Sequence, residues 1–364
     1  MQVLDEVDHF HRQFRHQVAP LAPWVRQLRR NLVARAIQGS NSIEGIVVTI
    51  EDTQALVAGE EMSASVDDAD RAAITGYRDA LTWVQQAANM DTFVFHEMLL
   101  SALHFMMLKH DLATWPGRYR PGAIYVSGRD PLNPVYAGPP PEQVADLMAE
   151  LMEWLNTGDL DLPVLVRASI AHLNLVSIHP WRDGNGRMSR CLHTLVLARD
   201  KVLAPEFSSI EEWLGDDTNT YAYYQALRQT RTTWDPSRST HTWIRFCLGA
   251  HHMQAQLVQR RLDRAAQTWH EVADLVSGAG LDERVVSALY AAAVGQLRRT
   301  TYQHDETLTR DQAVRDIQAL RRLGFVEPLG HGRTQRYIAA GAARDRAFDV
   351  VEHLGRTPLR DPYD

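Results

Sequence analysis

The sequence predicts a mainly α protein of two or three folded units, interrupted by one short β-hairpin and followed by a small helix-turn-helix with a β-wing. Three observations carry this expectation. Apolar residues recur at three- and four-residue spacing through most of the 364 residues, as amphipathic helices require, and that length exceeds one typical core. Between Trp115 and Pro141 the composition changes to Gly, Pro and β-formers, which reads as a hairpin. Beyond Ser277-Gly278-Ala279-Gly280, a plausible boundary, two helical stretches are followed by strand, glycine turn and strand.

In chain order, Pro23 to Ile43 places Leu28, Leu32 and Ile37 on or near one helical face, with Gly45 available as a stop. Thr49-Ile50-Glu51-Asp52 has the residues of a helix cap and starts a short helix to Val57; a longer one begins at Ser65 and runs through Gly76 to Gln86. Phe93 to Leu108 is strongly apolar, and its His96 and His104 read as core or hydrogen-bonded histidines because ligand partners are not evident nearby. Ile124–Val126 and Pro134–Tyr136 supply the two hairpin strands. Pro141 to Leu155 and Pro163 to Ser177 read as helices, the second turning Leu165, Ala168, His172 and Leu175 to the core and delivering His179. His251 to Val276 is a long polar helix, then Arg284 to Leu297 and Thr309 to Leu323 lead into the strands of Phe325 to Ile338, and the last twenty or so residues read as peripheral.

Composition narrows the function classes. With 45% hydrophobic and 23% charged residues the chain reads as globular, and its formal charge of −7 argues against a surface built to coat nucleic acid or anionic membrane. Asp5, Glu6, Asp8, Arg12 and Arg15 interrupt any apolar run near the start, and no later run is long enough to span a bilayer, so a cytoplasmic protein without membrane contact is expected. Cys191 and Cys247 lack metal-type spacing and sit among apolar residues, which suits buried reduced thiols. Residues 282–340 hold nine arginines against seven acids, weakly basic for a nucleic-acid binder, so DNA contact and a regulatory or dimerising use both stay open.

The densest chemistry lies in His179 to Arg190, H-P-W-R-D-G-N-G-R-M-S-R. Gly184-Asn185-Gly186 is a turn with almost no side-chain bulk, opening a helix with apolar residues at Met188, Cys191, Leu192 and Leu195. Such a turn is an anion site, since backbone N–H groups point outward and the helix dipole adds positive potential. Arg187 and Arg190, three residues apart on one side of the first turn and away from its apolar face, suit a polyphosphate. Asp183 beside bound phosphates calls for a Mg²⁺ ion between them, and His179, kept out of helical geometry by Pro180, becomes the candidate base.

This dodecamer resembles the signature of the Fic family, H-x-F-x-[D/E]-G-N-G-R-x-x-R, with Trp181 where the family usually has Phe. Seven of its eight specified positions match, and chance would produce that on the order of once in 10⁹ starts. Ser40-Asn41-Ser42-Ile43-Glu44-Gly45 resembles the inhibitory motif [S/T]-x-x-x-E-[G/N] of many Fic proteins. The resemblance implies an all-helical Fic fold with a β-hairpin flap, joined here to a winged helix-turn-helix: an N-terminal helical region over residues 1–92, a catalytic core over 93–250 with its flap at 117–138, a helical linker over 251–280, the winged-helix-like domain over 281–340 and a polar tail over 341–364. It implies transfer of AMP from ATP to a Tyr, Ser or Thr hydroxyl of a target protein, itself included, with a homodimer left open. In that scheme His179 is the base, Asp183 holds Mg²⁺, the turn of Gly184, Asn185 and Gly186 steadies developing charge, and Arg187 and Arg190 hold the outer phosphates. Glu44, with Ser40 and Gly45, competes with the γ-phosphate for Arg190. The flap takes an extended target segment by strand addition. Tyr223 and Tyr224 are the adenine-side candidates, on one of two further core helices that also include Trp243 to Phe246. One rival reading keeps the site but changes the chemistry, to removal of AMP or transfer of another phosphate-containing group; a rival from another class is a DNA-binding regulator with the Fic core as sensor.

Overall fold

Four-residue apolar spacing becomes helix over nearly all the stretches that carry it. The computed structural model describes residues 2–18, 23–63, 65–126, 135–201, 203–230, 232–331, 335–355 and 357–364. In order, its helices are α1 (Gln2–Val18), α2 (Pro23–Ser42), α3 (Ile50–Val57), α4 (Asp68–Ala87) and α5 (Glu97–Leu108). The two-residue strands β1 (Tyr125–Val126) and β2 (Tyr136–Ala137) follow, then α6 (Val144–Thr157), α7 (Val164–Ile178), α8 (Asn185–Arg199), α9 (Pro205–Ser208), α10 (Glu211–Leu214), α11 (Asp217–Thr230) and α12 (His241–Gly278). The chain continues with α13 (Val285–Val294), α14 (Arg299–Asp305), α15 (Arg310–Arg322), strands β3 (Val326–Leu329) and β4 (Arg336–Ala339), and α16 (Gly341–Gly355). None of the described helices is both long and apolar enough to cross a membrane.

Contacts divide the chain into two units, one of residues 1–12, 32–255 and 361–364 and one of residues 13–31 and 256–360, with α1, α2 and α12 contributing to both. The first unit is built around α8. This helix packs against α7, α4 and α5, and from Asn185 to Ala198 every residue except Gly186 is buried. Two arginines expected on a polar face of α8 are therefore interior, because the helix has no solvent face. Leu165, Ala168, His172 and Leu175 of α7 are all buried against this core, as the spacing predicts. The caps also follow sequence chemistry: the Thr49 hydroxyl accepts from the Asp52 N–H at the start of α3, and His96 Nδ1 accepts from Met98 N at the start of α5. Helix α4 starts at Asp68, capped by Asp67, three residues later than the sequence suggests. Both cysteines are buried and unpaired with each other.

β1 pairs with β2 antiparallel, Tyr125 opposite Ala137 and Val126 opposite Tyr136. The second expected strand is thus shifted toward the C-terminus, with Pro134 and the rest of 127–134 outside the described residues. β2 also meets Thr233 along its other edge, in parallel, so among the described residues the unpaired edge of this hairpin is that of β1.

The second unit contains α13 to α16 and the β3–β4 hairpin, antiparallel from Val326–Ala339 to Leu329–Arg336. Leu297 adds an antiparallel bridge to Tyr337, which ends the helix expected to reach Leu297 at Val294, and α14 is a further short helix absent from the sequence reading. Helix α15 starts on a reciprocal cap between Thr309 and Gln312. Asp316 is buried and receives both Arg284 Nε and the Tyr302 hydroxyl at 2.9 Å, so the one acid on the inner face of α15 is satisfied. Two expectations are corrected here. The stretch read as a helical linker is the later part of α12 and buries Val258, Leu262, Ala265, Val272 and Val276, a core spacing masked by the polar residues between them. Part of the presumed peripheral tail is α16, which packs on α13 through buried Ala343, Ala347 and Val350.

Candidate active site

The turn between α7 and α8 converts a helix end into a presented side chain. His179 caps α7 in the left-handed region, φ 51° and ψ 57°, while its N–H still bonds Leu175 O at 3.0 Å. That conformation is costly for a residue with a Cβ, and the surroundings hold it. Arg120 Nε donates to the His179 carbonyl at 2.8 Å, and Arg120 N donates to Pro180 O at 2.9 Å. The His179 ring places Nδ1 3.1 Å from Val176 O, so the neutral ring carries its proton on Nδ1 and leaves the Nε2 lone pair free. Burial lowers the pKa of His179 and the Arg120 charge lowers it further, outweighing the Val176 carbonyl and the carboxylates of Glu44 and Asp183. The imidazole is neutral at pH 7, as a base must be.

The next residues are clamped from inside. Trp181 is fully buried and stacks on His104, centroids 4.5 Å apart and planes within 8°, so the indole in the usual Phe position fits. His104 Nδ1 accepts from Gly117 N at 2.7 Å, which leaves Nε2–H to donate to Asp183 O at 2.9 Å. Burial pushes the His104 pKa down to about 4, chiefly by desolvation. The Asn185 side chain closes the loop, accepting from Trp181 N at 3.0 Å and donating to Trp181 O at 2.9 Å. Its amide is therefore spent on the loop, and what residue 185 can offer an anion is its backbone. Gly184 sits at φ 75°, where a residue with a Cβ is strained, and that Cβ would stand 2.7 Å from Leu108 Cδ1, which would have to shift.

At the first turn of α8 the two arginines differ. Arg187 is buried, with Nε and Nη1 lacking hydrogen-bond partners and Nη2 3.5 Å from the half-exposed carboxylate of Asp183. Arg190 is buried and more engaged: Nε donates to Ser40 Oγ at 2.8 Å and Nη2 to Ser40 O at 2.9 Å and to Glu44 Oε1 at 2.6 Å, while Nη1 has no hydrogen-bond partner. Burial works against the Arg190 charge, but Glu44, with Tyr223 and Tyr77 adding, raises its pKa overall. The Glu44 carboxylate lies over the glycine turn itself, since a Cβ at Gly186 would meet its Oε1 at 2.5 Å. Glu44 reaches this place because α2 ends at Ser42 and Gly45, at φ 82°, turns the chain away.

These groups meet at a cavity of about 480 Å³ whose wall includes Glu44, His179, Gly186, Arg190, Tyr223 and Tyr224. The two tyrosines are unequal. Tyr223 is 1% exposed, bonds His172 Nε2 through its hydroxyl at 3.1 Å and packs among Trp243 and Phe246, so most of its ring is core. Tyr224 is partly exposed, and its hydroxyl donates to Ile43 O at 3.2 Å. Tyr136 of β2 and Val126 of β1 complete one side of the cavity, with Tyr136 OH bonded to Ser177 O at 2.7 Å. Asp183 and Arg187 are not part of that wall. Arg120 and His104 carry the loop geometry but have no local motif; their partners lie 59 and 79 residues away.

Residues 95–197 match the sequence pattern of the Fic/DOC family. The chain is 29% identical over 166 residues to "Protein adenylyltransferase Fic" of Nematostella vectensis, covering 45% of this chain and 37% of that protein. It is 25% identical over 179 residues to "Protein adenylyltransferase fic-1" of Caenorhabditis elegans, covering 48% and 34%. The chain thus spans about a third of the length of these curated relatives. Among solved structures, a Fic family protein from Desulfovibrio desulfuricans G20 superposes with a TM-score of 0.58 at 22% identity, over 93% of this chain and 95% of that one. Fic-1 (residues 134–508) from C. elegans does so with a TM-score of 0.56 at 20% identity, over 72% and 71%. These two show a shared fold.

Proposed function

We propose that this chain, whose residues 95–197 match the Fic/DOC family, transfers AMP from ATP to a hydroxyl side chain of a protein. The observation that carries the reading is a neutral imidazole and a buried guanidinium meeting one cavity at the N-terminus of α8. That arrangement joins a proton acceptor to a polyphosphate site. The target hydroxyl gives its proton to His179 Nε2 as its oxygen attacks the α-phosphorus, and the bond to the β-phosphate oxygen breaks with pyrophosphate leaving. Backbone N–H groups at Gly184 to Gly186 face the developing charge. Arg187, with two buried N–H groups unpartnered, and Arg190 hold the outer phosphates. Tyr224 is the better adenine-side candidate, because Tyr223 is engaged in the core.

A divalent cation fits the donor set. Among the described residues no cluster of three or more His, Cys, Asp or Glu side chains stands ready for a metal, which disfavours zinc or an all-protein calcium cage. The single half-exposed carboxylate of Asp183 suits Mg²⁺, which keeps its waters and takes phosphate oxygens as ligands. Bound there, Mg²⁺ would neutralise charge on the α- and β-phosphates. A reaction that consumes ATP agrees with the cytoplasm as its compartment.

In the same reading Glu44 is an inhibitor, a tethered carboxylate on the guanidinium that the γ-phosphate needs. The target segment joins the hairpin along the edge of β1, which β2 leaves free. The test is incubation of the wild-type and Glu44→Gly chains with labelled ATP and a cell lysate, followed by mass spectrometry. Label as AMP on protein hydroxyls supports the reading, and absence from both lanes with folded protein overturns it. AMP removal has one observation in its favour, the presence of Glu44 and His179 on one cavity wall; loss of AMP from a pre-modified target would separate it from forward transfer. For the winged-helix-like part, the candidate phosphate contacts are Arg315, Arg321 and Arg322, which are exposed, Arg336, which is half-buried and bonded to Gln296, and Arg333, which lies outside the described residues. DNA retention by the full chain that weakens steeply with salt would support nucleic-acid contact there.

A further inference from the structure

We infer that Arg120 is a positioning residue for the base: its guanidinium ties both feet of the β1–β2 hairpin to the turn that carries His179. Seating an extended protein segment on the hairpin and aligning the base then become one event. The inference rests on the reading of His179 as base and of the hairpin as target site.

The geometry is specific. Arg120 is buried, and beyond its bond to His179 O its Nη1 donates to Gly122 O at 2.7 Å, ahead of β1. Its Nη2 donates to Pro139 O at 2.7 Å, just after β2, and to Ile178 O at 3.4 Å, the last residue of α7. One planar fork therefore joins the hairpin's two ends to the helix end, and a lysine could not satisfy carbonyls in so many directions. Gly138 makes the closure possible, because a Cβ there would stand 2.8 Å from Ile124 Cγ2 and 3.2 Å from Arg120 Nη2. The hairpin, by contrast, has only two residues in each strand, too few to fix its own orientation. The fork and the Tyr136 hydroxyl on Ser177 O, at 2.7 Å, together set the distance from hairpin to base, and only the fork reaches both ends of the hairpin.

The charge acts alongside the geometry. The charged groups that act on the imidazole are Arg120 ahead of β1, Glu44 after α2 and Asp183 in the turn before α8, and of these Arg120 alone disfavours the imidazolium. Removing it raises the pKa of His179 and moves the acid limb of activity to higher pH.

The test uses the full chain carrying Glu44→Gly, which frees Arg190. To it are added Arg120→Lys, Arg120→Met or Gly138→Ala. Three quantities are read: the His179 titration by NMR, ATP affinity by calorimetry, and the rate and pH profile of AMP incorporation into the chain's own hydroxyls. The expected result is an upward shift of the His179 titration in Arg120→Met but not in Gly138→Ala. In all three the transfer rate falls about tenfold, close to 1.4 kcal/mol, with ATP affinity unchanged. If Arg120→Met does not fold, Arg120→Lys and Gly138→Ala still read the rate. Folded variants with the parent's rate and titration would overturn the inference, as would loss of thermal stability alone. If the parent itself transfers no AMP, the proposed function fails, while the NMR titration still decides the link between Arg120 and His179.

Discussion

The loop from His179 to Asn185 and the segment from Gly39 to Gly45 both converge on the first turn of α8, yet different forces hold them. The loop is fixed by burial: Trp181 is sealed against His104, Asn185 clasps the backbone and Arg120 pins the carbonyl of His179. The base of the other segment is also tight, since a Cβ at Gly39 would meet Glu211 O at 2.3 Å and Ser42 Oγ donates to Gly215 O at 3.1 Å. Its tip is not. The Glu44 side chain is 27% exposed and bonds Arg190, a contact that any well-placed anion could replace. In the proposed mechanism the base is preorganised by packing, whereas the inhibitor is held by a charge-assisted bond that a phosphate would exchange.

The largest effect expected from breaking the loop is at its base. His179→Ala should lower AMP transfer by about 10²- to 10⁴-fold, the usual range for a lost general base, with ATP affinity kept because phosphates are held elsewhere. Calorimetry with ATP and a transfer assay check this, and near-wild-type transfer would remove His179 from the mechanism. Next comes Trp181→Ala, which empties the most enclosed site in the loop. A loss of about 3–5 kcal/mol is expected for a buried large aromatic, visible as a lower urea midpoint. A midpoint unchanged would mean the loop does not depend on burial.

Glu44→Gly sharpens the other side of the comparison. Removing the competitor should raise transfer by at least about tenfold, or roughly 1.4 kcal/mol, and lower the urea midpoint, because buried Arg190 loses the Glu44 carboxylate. Arg190→Ala should not imitate this, since it loses the phosphate contact with the inhibitory pair, and the double variant should resemble Arg190→Ala. Unchanged transfer in a folded Glu44→Gly chain would reduce Ser40 to Gly45 to the end of a structural helix.

Much of this contrast was legible in the sequence because both parties are short and local. The glycine turn, the base and the two arginines lie within twelve positions, and Ser40 to Gly45 within six. The pair between Glu44 and Arg190 followed from two motifs read together. What was not legible depends on distance or on burial from all sides. Arg120 and His104 act on carbonyls far away in sequence. Tyr223 is drawn into the core by Trp243 and His172, which helical spacing alone cannot tell from a pocket wall. The arginines of α8 were placed on a polar face because amphipathic reasoning presumes that a helix has one. α16 looked peripheral since its buried residues are mostly alanine.

The smallest predicted effect separates the loop's force from the segment's by pH. His104 is neutral in the fold, with its pKa pushed down to about 4, and would protonate near 6.5 when unfolded. The unfolded chain therefore binds the extra proton, and the stability present above pH 6.5 is lost as pH falls toward 4. One such histidine contributes a slope of roughly 1.4 kcal/mol per pH unit at most. His172, His193 and His251 are buried with lowered pKa as well, so wild-type stability alone does not isolate His104. The comparison is with His104→Gln, whose amide can still accept from Gly117 N and donate to Asp183 O but has no proton to gain. Thermal unfolding of both chains between pH 7.5 and 5 should give a shallower loss for the variant. Glu44→Gly, whose contact is polar and partly exposed, should follow the wild-type slope. Parallel curves for wild type and His104→Gln would show that the loop is not held through a neutral His104.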